Sequence, residues 1–177
     1  MRKVRLAFGL LTGMLAVSSV LANTVIDFDT FPGADCKLGT NDDREVVNQY
    51  RCMGAVFSLI DGSAPTIRNS QFTRSLYPIN SAGGDDLAMQ DIVIDFMVPT
   101  SQVKLTTLDT DEPVTLRAFN ADGVEIASDY QPPTGNVAVE IVEVQVDGSQ
   151  GFISKVIVDL TQSNQKCCAA ALNGMIF

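Results

Sequence analysis

The chain contains no histidine and no tryptophan. Without imidazole there is no Ser-His-Asp triad, no Cys-His nucleophile pair and no histidine-bound metal, which removes the commonest hydrolytic designs. Without indole, the broadest flat ring for packing the CH-rich face of a pyranose is missing, and that role falls to 3 tyrosines. No G-x-S-x-G elbow or P-loop occurs, and Gly83-Gly84 is a bare pair without phosphate-cradling spacing. Basic residues are few, 12 Lys and Arg against 21 Asp and Glu, which gives a formal charge of −9. Such a surface repels nucleic acid and anionic lipid, which need clustered cations, so neither is expected as a partner. A carboxylate pair could cleave a glycosidic bond, but among 21 acidic residues some pair always looks suitable, and no enzyme is expected.

What is present begins with an export signal. Arg2, Lys3 and Arg5 form a basic start, Leu6 to Val17 an apolar run, and Val20-Leu21-Ala22 a small-residue cleavage box. The run is too short for a membrane anchor and leads into polar Asn23-Thr24, so cleavage after Ala22 into the periplasm or the medium is expected. Residues 1–22 are therefore read as a signal peptide and 23–177 as one domain, with no membrane span in the mature chain. Removing the three basic residues of the signal leaves 9 Lys and Arg against 21 acids. Solubility outside the cytosol explains such a surface, and coordination of a hard cation such as calcium is the sharper reading.

All four cysteines, Cys36, Cys52, Cys167 and Cys168, lie in the exported part, where an even number points to disulfides. Three connectivities exist. Pairing Cys36 with Cys52 would close a loop of roughly 15 residues for about 3 kcal/mol in the chain-entropy model, but would leave Cys167 and Cys168 to a strained bridge between neighbours. The favoured arrangement joins Cys36 and Cys52 to the 167–168 pair, stapling the chain ends if the strand over 24–31 pairs antiparallel with that over 169–177. A four-thiolate zinc site is disfavoured, because two separated C-x-x-C pairs are lacking and the compartment is oxidising.

Residues 114–128, VTLRAFNADGVEIAS, read as a β-hairpin: apolar and polar positions alternate on both sides of a turn whose Asp122-Gly123 supplies a positive φ. The remainder gives about nine strands in all, over 24–31, 55–60, 91–98, 102–108, the two hairpin arms, 137–146, 152–160 and 169–177, with a short helical turn around 45–50. Breakers such as Asp61-Gly62, Pro99, Pro113, Pro132-Pro133 and Asp147-Gly148 fall between them. Short strands at regular spacing predict an all-β fold, an antiparallel sandwich or barrel.

The succession VIDFDTFPG, QYRCMGAVFS, DIVIDFMVPTSQVKLTTLD, VTLRAFNADGVEIAS, GFISKVIVD and LNGMIF resembles a small exported bacterial β-sandwich. It is similar to galactose-binding-like and carbohydrate-binding modules of jelly-roll topology, a type also found in PEP-CTERM-sorted proteins. The resemblance implies a jelly-roll-like sandwich and a non-catalytic binding role, with carbohydrate as ligand and a structural calcium near the termini. The chain stops at Phe177 without an apolar span or basic tail, so anchoring through a sorting tail is not expected.

The candidate ligand platform is Tyr77 and Tyr130, placed in Pro-containing loops, with Arg74, Asn80 and Gln131 to bind hydroxyls. Tyr50 is instead expected to pack beneath the long connection over 32–53. For calcium, Asp27 and Asp29 share one face of the first strand and Asn173 would lie near them if the end strands pair. Asp109, Asp111 and Glu112 form a second acidic group, Asp85-Asp86 a third, and a solvated face or Asp-rich turn explains each more simply than a metal does. Against the glycan reading stands a structural or protein-interaction role in the cell envelope or extracellular matrix, which an exposed patch around Phe119 would favour.

Overall fold

The computed structural model describes residues 23–28, 44–46, 48–69, 74–77, 90–108, 113–133, 139–159 and 171–177. Alternation of apolar and polar positions fixes its strands. In β3 (Ala55–Leu59) every second residue is buried, as in β8 (Val114–Phe119), while β6 (Ile92–Thr100) buries Ile92, Ile94 and Phe96 and turns Asp95 outward. With β11 (Ile153–Asp159) and β9 (Glu125–Gln131) these strands form a five-stranded sheet in the order β3-β6-β11-β8-β9.

A second sheet has the order β10-β7-β12-β5-β4-β2, from β10 (Val139–Gln145), β7 (Gln102–Leu108), β12 (Ala171–Ile176), β5 (Arg74–Tyr77), β4 (Thr66–Asn69) and β2 (Arg44–Glu45). β1 (Val25–Asp27) lies beside β12, so Met175 has Leu105 of β7 on one flank and Ile26 of β1 on the other. The pairings among these named strands are antiparallel. The architecture is an antiparallel β-sandwich.

The expected pairing of the first strand with the last is observed, with Ile26 opposite Met175 and Asp27 opposite Gly174. Reciprocal backbone bonds extend it by one residue: Thr24 N donates to Phe177 O over 2.8 Å and Phe177 N to Thr24 O over 3.0 Å. Between the sheets one hydrophobic cluster holds Ile26, Phe28, Tyr50, Phe57, Leu105, Leu116 and Val156 among others. Each large aliphatic side chain buried there contributes about 1.5–3 kcal/mol.

Twelve strands are described where about nine are expected, and the additions β2, β4 and β5 are only two to four residues long. The helical turn expected around 45–50 is replaced by β2 and a 3-10 turn over Arg51–Met53. Val46 is buried, and its amide donates to Pro65 O over 2.7 Å, so the chain there follows the sheet rather than coiling on itself. The turn closes at Gly54 with φ 95°, where a Cβ would come within 3.3 Å of the Phe177 ring. Residues 1–22, read as the signal peptide, lie outside the described residues, as do Cys36, Cys167 and Cys168.

Candidate functional site

The outward parity of three adjacent strands in the five-stranded sheet builds one locus. Lys155 of β11 stands between Asp95 of β6 and Phe119 of β8 in register, so three outward side chains form a row across the sheet. Lys155 Nζ lies 3.9 Å from Asp95 Oδ1, a loose and exposed ion pair that contributes little to stability. Arg117 holds its guanidinium 5.2 Å from the centre of the Phe119 ring. It is fixed there by Nε and Nη2 donating to Glu125 Oε2 over 2.9 and 2.8 Å. Phe119 is thus a half-buried, clamped ring rather than part of a bare apolar patch.

Beyond this row the hairpin turn forms a wall. Asn120 Oδ1 accepts from the amides of Asp122 and Val124, both over 3.0 Å, and its Nδ2 donates to Gln150 O over 3.0 Å. Gly123 takes φ 76° as the turn requires, and Gly123 N donates to Asn120 O over 3.0 Å. Ser154 Oγ lies 3.3 Å from Phe119 O and donates to it. Asp95, Phe119, Asn120, Ser154, Lys155 and Ile157 line an open cleft of about 500 Å³. Chemically it offers one aromatic ring, one aliphatic wall and a separable pair of opposite charges. That combination suits a neutral polar ligand with a CH-rich face.

The residues expected to form a platform are not assembled on one loop. Tyr130 and Gln131 belong to β9, where Thr115 faces Tyr130, and Pro132-Pro133 begins only after that strand ends. Arg74 and Tyr77 belong to β5 in the other sheet, held by pairing of Thr66 with Tyr77 and Asn69 with Arg74. Both tyrosines therefore sit in strands, because ladder pairing extends further toward the prolines than the prolines' breaking character suggests. Tyr130 is half exposed, at 55%. Asn80 lies outside the described residues.

Of the expected calcium ligands, Asp27 is exposed on the outer face of β1 opposite Gly174, directly beside Asn173 in sequence, and Asp29 lies outside the described residues. The groups Asp85-Asp86 and Asp109, Asp111 and Glu112 lie outside them too. Among the described residues no cluster of three or more Cys, Asp or Glu is disposed to hold a metal. Tyr50 is buried as expected. Its phenol is pushed well above its ordinary range, first by burial and then by the negative charge of Asp27.

Residue-type reasoning alone passed over Asp95 and Lys155. Their signal was parity: a charged side chain between buried Ile94 and Phe96, or beside buried Val156, must project from the sheet's outer face.

No protein-family profile matches the chain, and no curated protein sequence matches it. Among solved structures, it is similar to a low-affinity xylan-binding module, CBM86, from Roseburia intestinalis, at 15% identity and TM-score 0.42, covering 88% of this chain and 94% of that one. It is also similar to a family 29 carbohydrate-binding module from Piromyces equi, at 11% identity and TM-score 0.46, covering 88% and 90% of the two chains. A family 32 carbohydrate-binding module from C. perfringens, solved with galactose, is a third, at 15% identity and TM-score 0.35, covering 69% of this chain and 90% of that one.

Proposed function

We propose that the chain is an exported, non-catalytic carbohydrate-binding module that seats a glycan in the cleft on the outer face of its five-stranded sheet. The observation that supports this most is the clamped Phe119 ring beside the loose Lys155–Asp95 pair. A pyranose packs its CH face on such a ring, while its hydroxyls accept from the ammonium and donate to the carboxylate. Arg117 immobilises the ring before the ligand arrives, which lowers the ordering cost of binding.

Export and cross-linking belong to the same reading. The N-terminal signal supports export, and the even number of cysteines in the exported part supports a staple between Cys36 or Cys52 and the 167–168 pair. A structural calcium held by Asp27, Asp29 and Asn173 is the corresponding proposal at the paired chain ends, supported by the Asp27–Gly174 register.

Titration calorimetry with a panel that includes xylan and galactosides tests the cleft. A binding glycan is expected to lose affinity about tenfold or more with Phe119→Ala, roughly the 1.4 kcal/mol per decade of a lost ring contact, and to lose affinity also with Asp95→Ala. Loss with Tyr130→Ala alone would move the site to the β9 edge. No binding across the panel would favour the second reading, a protein contact in the envelope or matrix. The exposure of Met97, Val98 and Phe152, at 50%, 65% and 54%, supports that alternative.

A further inference from the structure

We propose that Asp129 is a clasp: its carboxylate closes the seam where the two sheets meet at β9 and β10, and so withholds the β10 edge from pairing with a second copy of this chain. β9 and β10 are terminal strands of their sheets, and each has a ladder on one flank only. In β10, Glu140, Val142 and Val144 are buried between the sheets. Val146 N donates to Ser101 O over 2.8 Å, one step beyond the pairing of Gln145 with Gln102. The even-numbered residues of β10 therefore exchange backbone bonds with β7, while Ile141, Glu143 and Gln145 send theirs away from it.

Two edge amides end on Asp129. Glu143 N donates to its Oδ2 and Tyr130 N to its Oδ1, each over 2.9 Å, so one carboxylate caps an amide from each sheet. Asp129 reaches the seam because of its parity. It stands opposite Leu116, which is buried, and so projects from β9 toward the other sheet, where alternation would call for an apolar side chain. The Glu143 carboxylate is engaged elsewhere, accepting from Gln102 Nε2 and lying 3.9 Å from Lys104 Nζ, and leaves the amide to Asp129. Water would satisfy either amide singly and leave the sheets unconnected. A shared ionised acceptor ties them, with bonds stronger than neutral ones.

What the clasp withholds is a strand suited to self-pairing. β10, VEIVEVQ, is rich in Val and Ile, the composition that adds strands at an unprotected edge. An antiparallel copy centred on Ile141 places Glu140 opposite Val142, and Glu143 opposite Val139, of the second copy, so no carboxylate meets another directly across the pair. Ile141, at the centre, is half exposed. While Asp129 holds Glu143 N against β9, that register is blocked. Neither Asp129 nor Glu143 lines the cleft, so the clasp does not depend on the glycan reading.

Amide hydrogen exchange and sedimentation velocity over a concentration series test it. In the parent, the amides of Glu143 and Tyr130 are expected to be protected about tenfold or more over those of Ile141 and Gln145, which have no such cap among the described residues. Asp129→Asn keeps the size but only one acceptor oxygen and is expected to lose one of the two protections; Asp129→Ala is expected to lose both and to self-associate as concentration rises. Where Asp129→Ala does not fold, Asp129→Asn carries the same comparison. Ile141→Pro removes the central edge donor without breaking a bond to β7, and added to Asp129→Ala it is expected to return sedimentation to that of the parent. Unprotected Glu143 and Tyr130 amides in the parent would overturn the clasp. So would protection that survives in both Asp129 variants, a folded Asp129→Ala that associates no more than the parent, or association that Ile141→Pro leaves in place.

Discussion

Tyr50 is the residue on which the interior turns. It meets Phe28 edge-on at 5.6 Å and Phe57 at 5.5 Å, and those two rings meet at 5.6 Å, so three aromatic side chains form a closed triangle. Edge-to-face pairs contribute about 0.5–1.5 kcal/mol each beyond their burial. Tyr50→Ala is therefore expected to cost about 3–5 kcal/mol in urea unfolding, and Tyr50→Phe far less. The two variants separate packing from ionisation. In the unfolded chain the phenol loses its proton near pH 10 (roughly), whereas the folded chain holds it to higher pH through burial and the nearby Asp27 charge. Stability from this proton is whole below that pH and is lost as pH climbs from there toward the raised native value. Urea unfolding repeated at about pH 9 and about pH 11 should show the parent losing more stability than Tyr50→Phe; equal losses would contradict the assignment.

At the scale of the element, the β8–β9 hairpin shows what local chemistry can and cannot announce. Asp122-Gly123 marked the turn, and Gly123 indeed takes φ 76°. The pivot is Asn120, whose carboxamide caps two amides inside the turn and reaches across to Gln150. Its role depends on where residue 150 lies in space, and no local pattern encodes that. Asn120→Ala is expected to destabilise by about 1–3 kcal/mol, because two turn amides lose their acceptor. Gly123→Ala, whose Cβ would meet nothing within 4 Å, should cost about 1–2 kcal/mol, the strain of a Cβ at positive φ alone. Because the turn walls the cleft, Asn120→Ala is also expected to weaken glycan binding more than Gly123→Ala does. Chemical denaturation beside calorimetry on each variant checks both effects.

For the molecule as a whole, the sandwich was legible because long strands with clean alternation, such as β3 and β8, admit one inward face. The pairing of the ends was legible because VIDF and LNGMIF each carry an inward apolar row. The short strands β4 and β5 were not, since TIRN and RSLY have too few apolar positions to set a period. Glu140 was hidden because VEIVEVQ puts a carboxylate at an inward position, which reads from sequence as an outward one. The consequence for folding is that β12, last in chain order among the described strands, is interior to its sheet, bonded to β7 on one flank and to β5 and β1 on the other. Most of that sheet cannot close until residues 171–177 arrive, so such long-range pairing predicts folding in the millisecond-to-second range. Deleting 171–177 is expected to abolish cooperative unfolding altogether, since it opens the sheet, unroofs Ile26 and removes the Phe177 ring that lies 4.9 Å from Phe96. Deleting 23–27 removes a strand that covers β12 on one flank only, and should leave a cooperative but less stable fold. Circular dichroism melts of the two truncations decide it: a sharp transition in the chain lacking 171–177 would show that β12 is an accessory to the sheet rather than its organising strand.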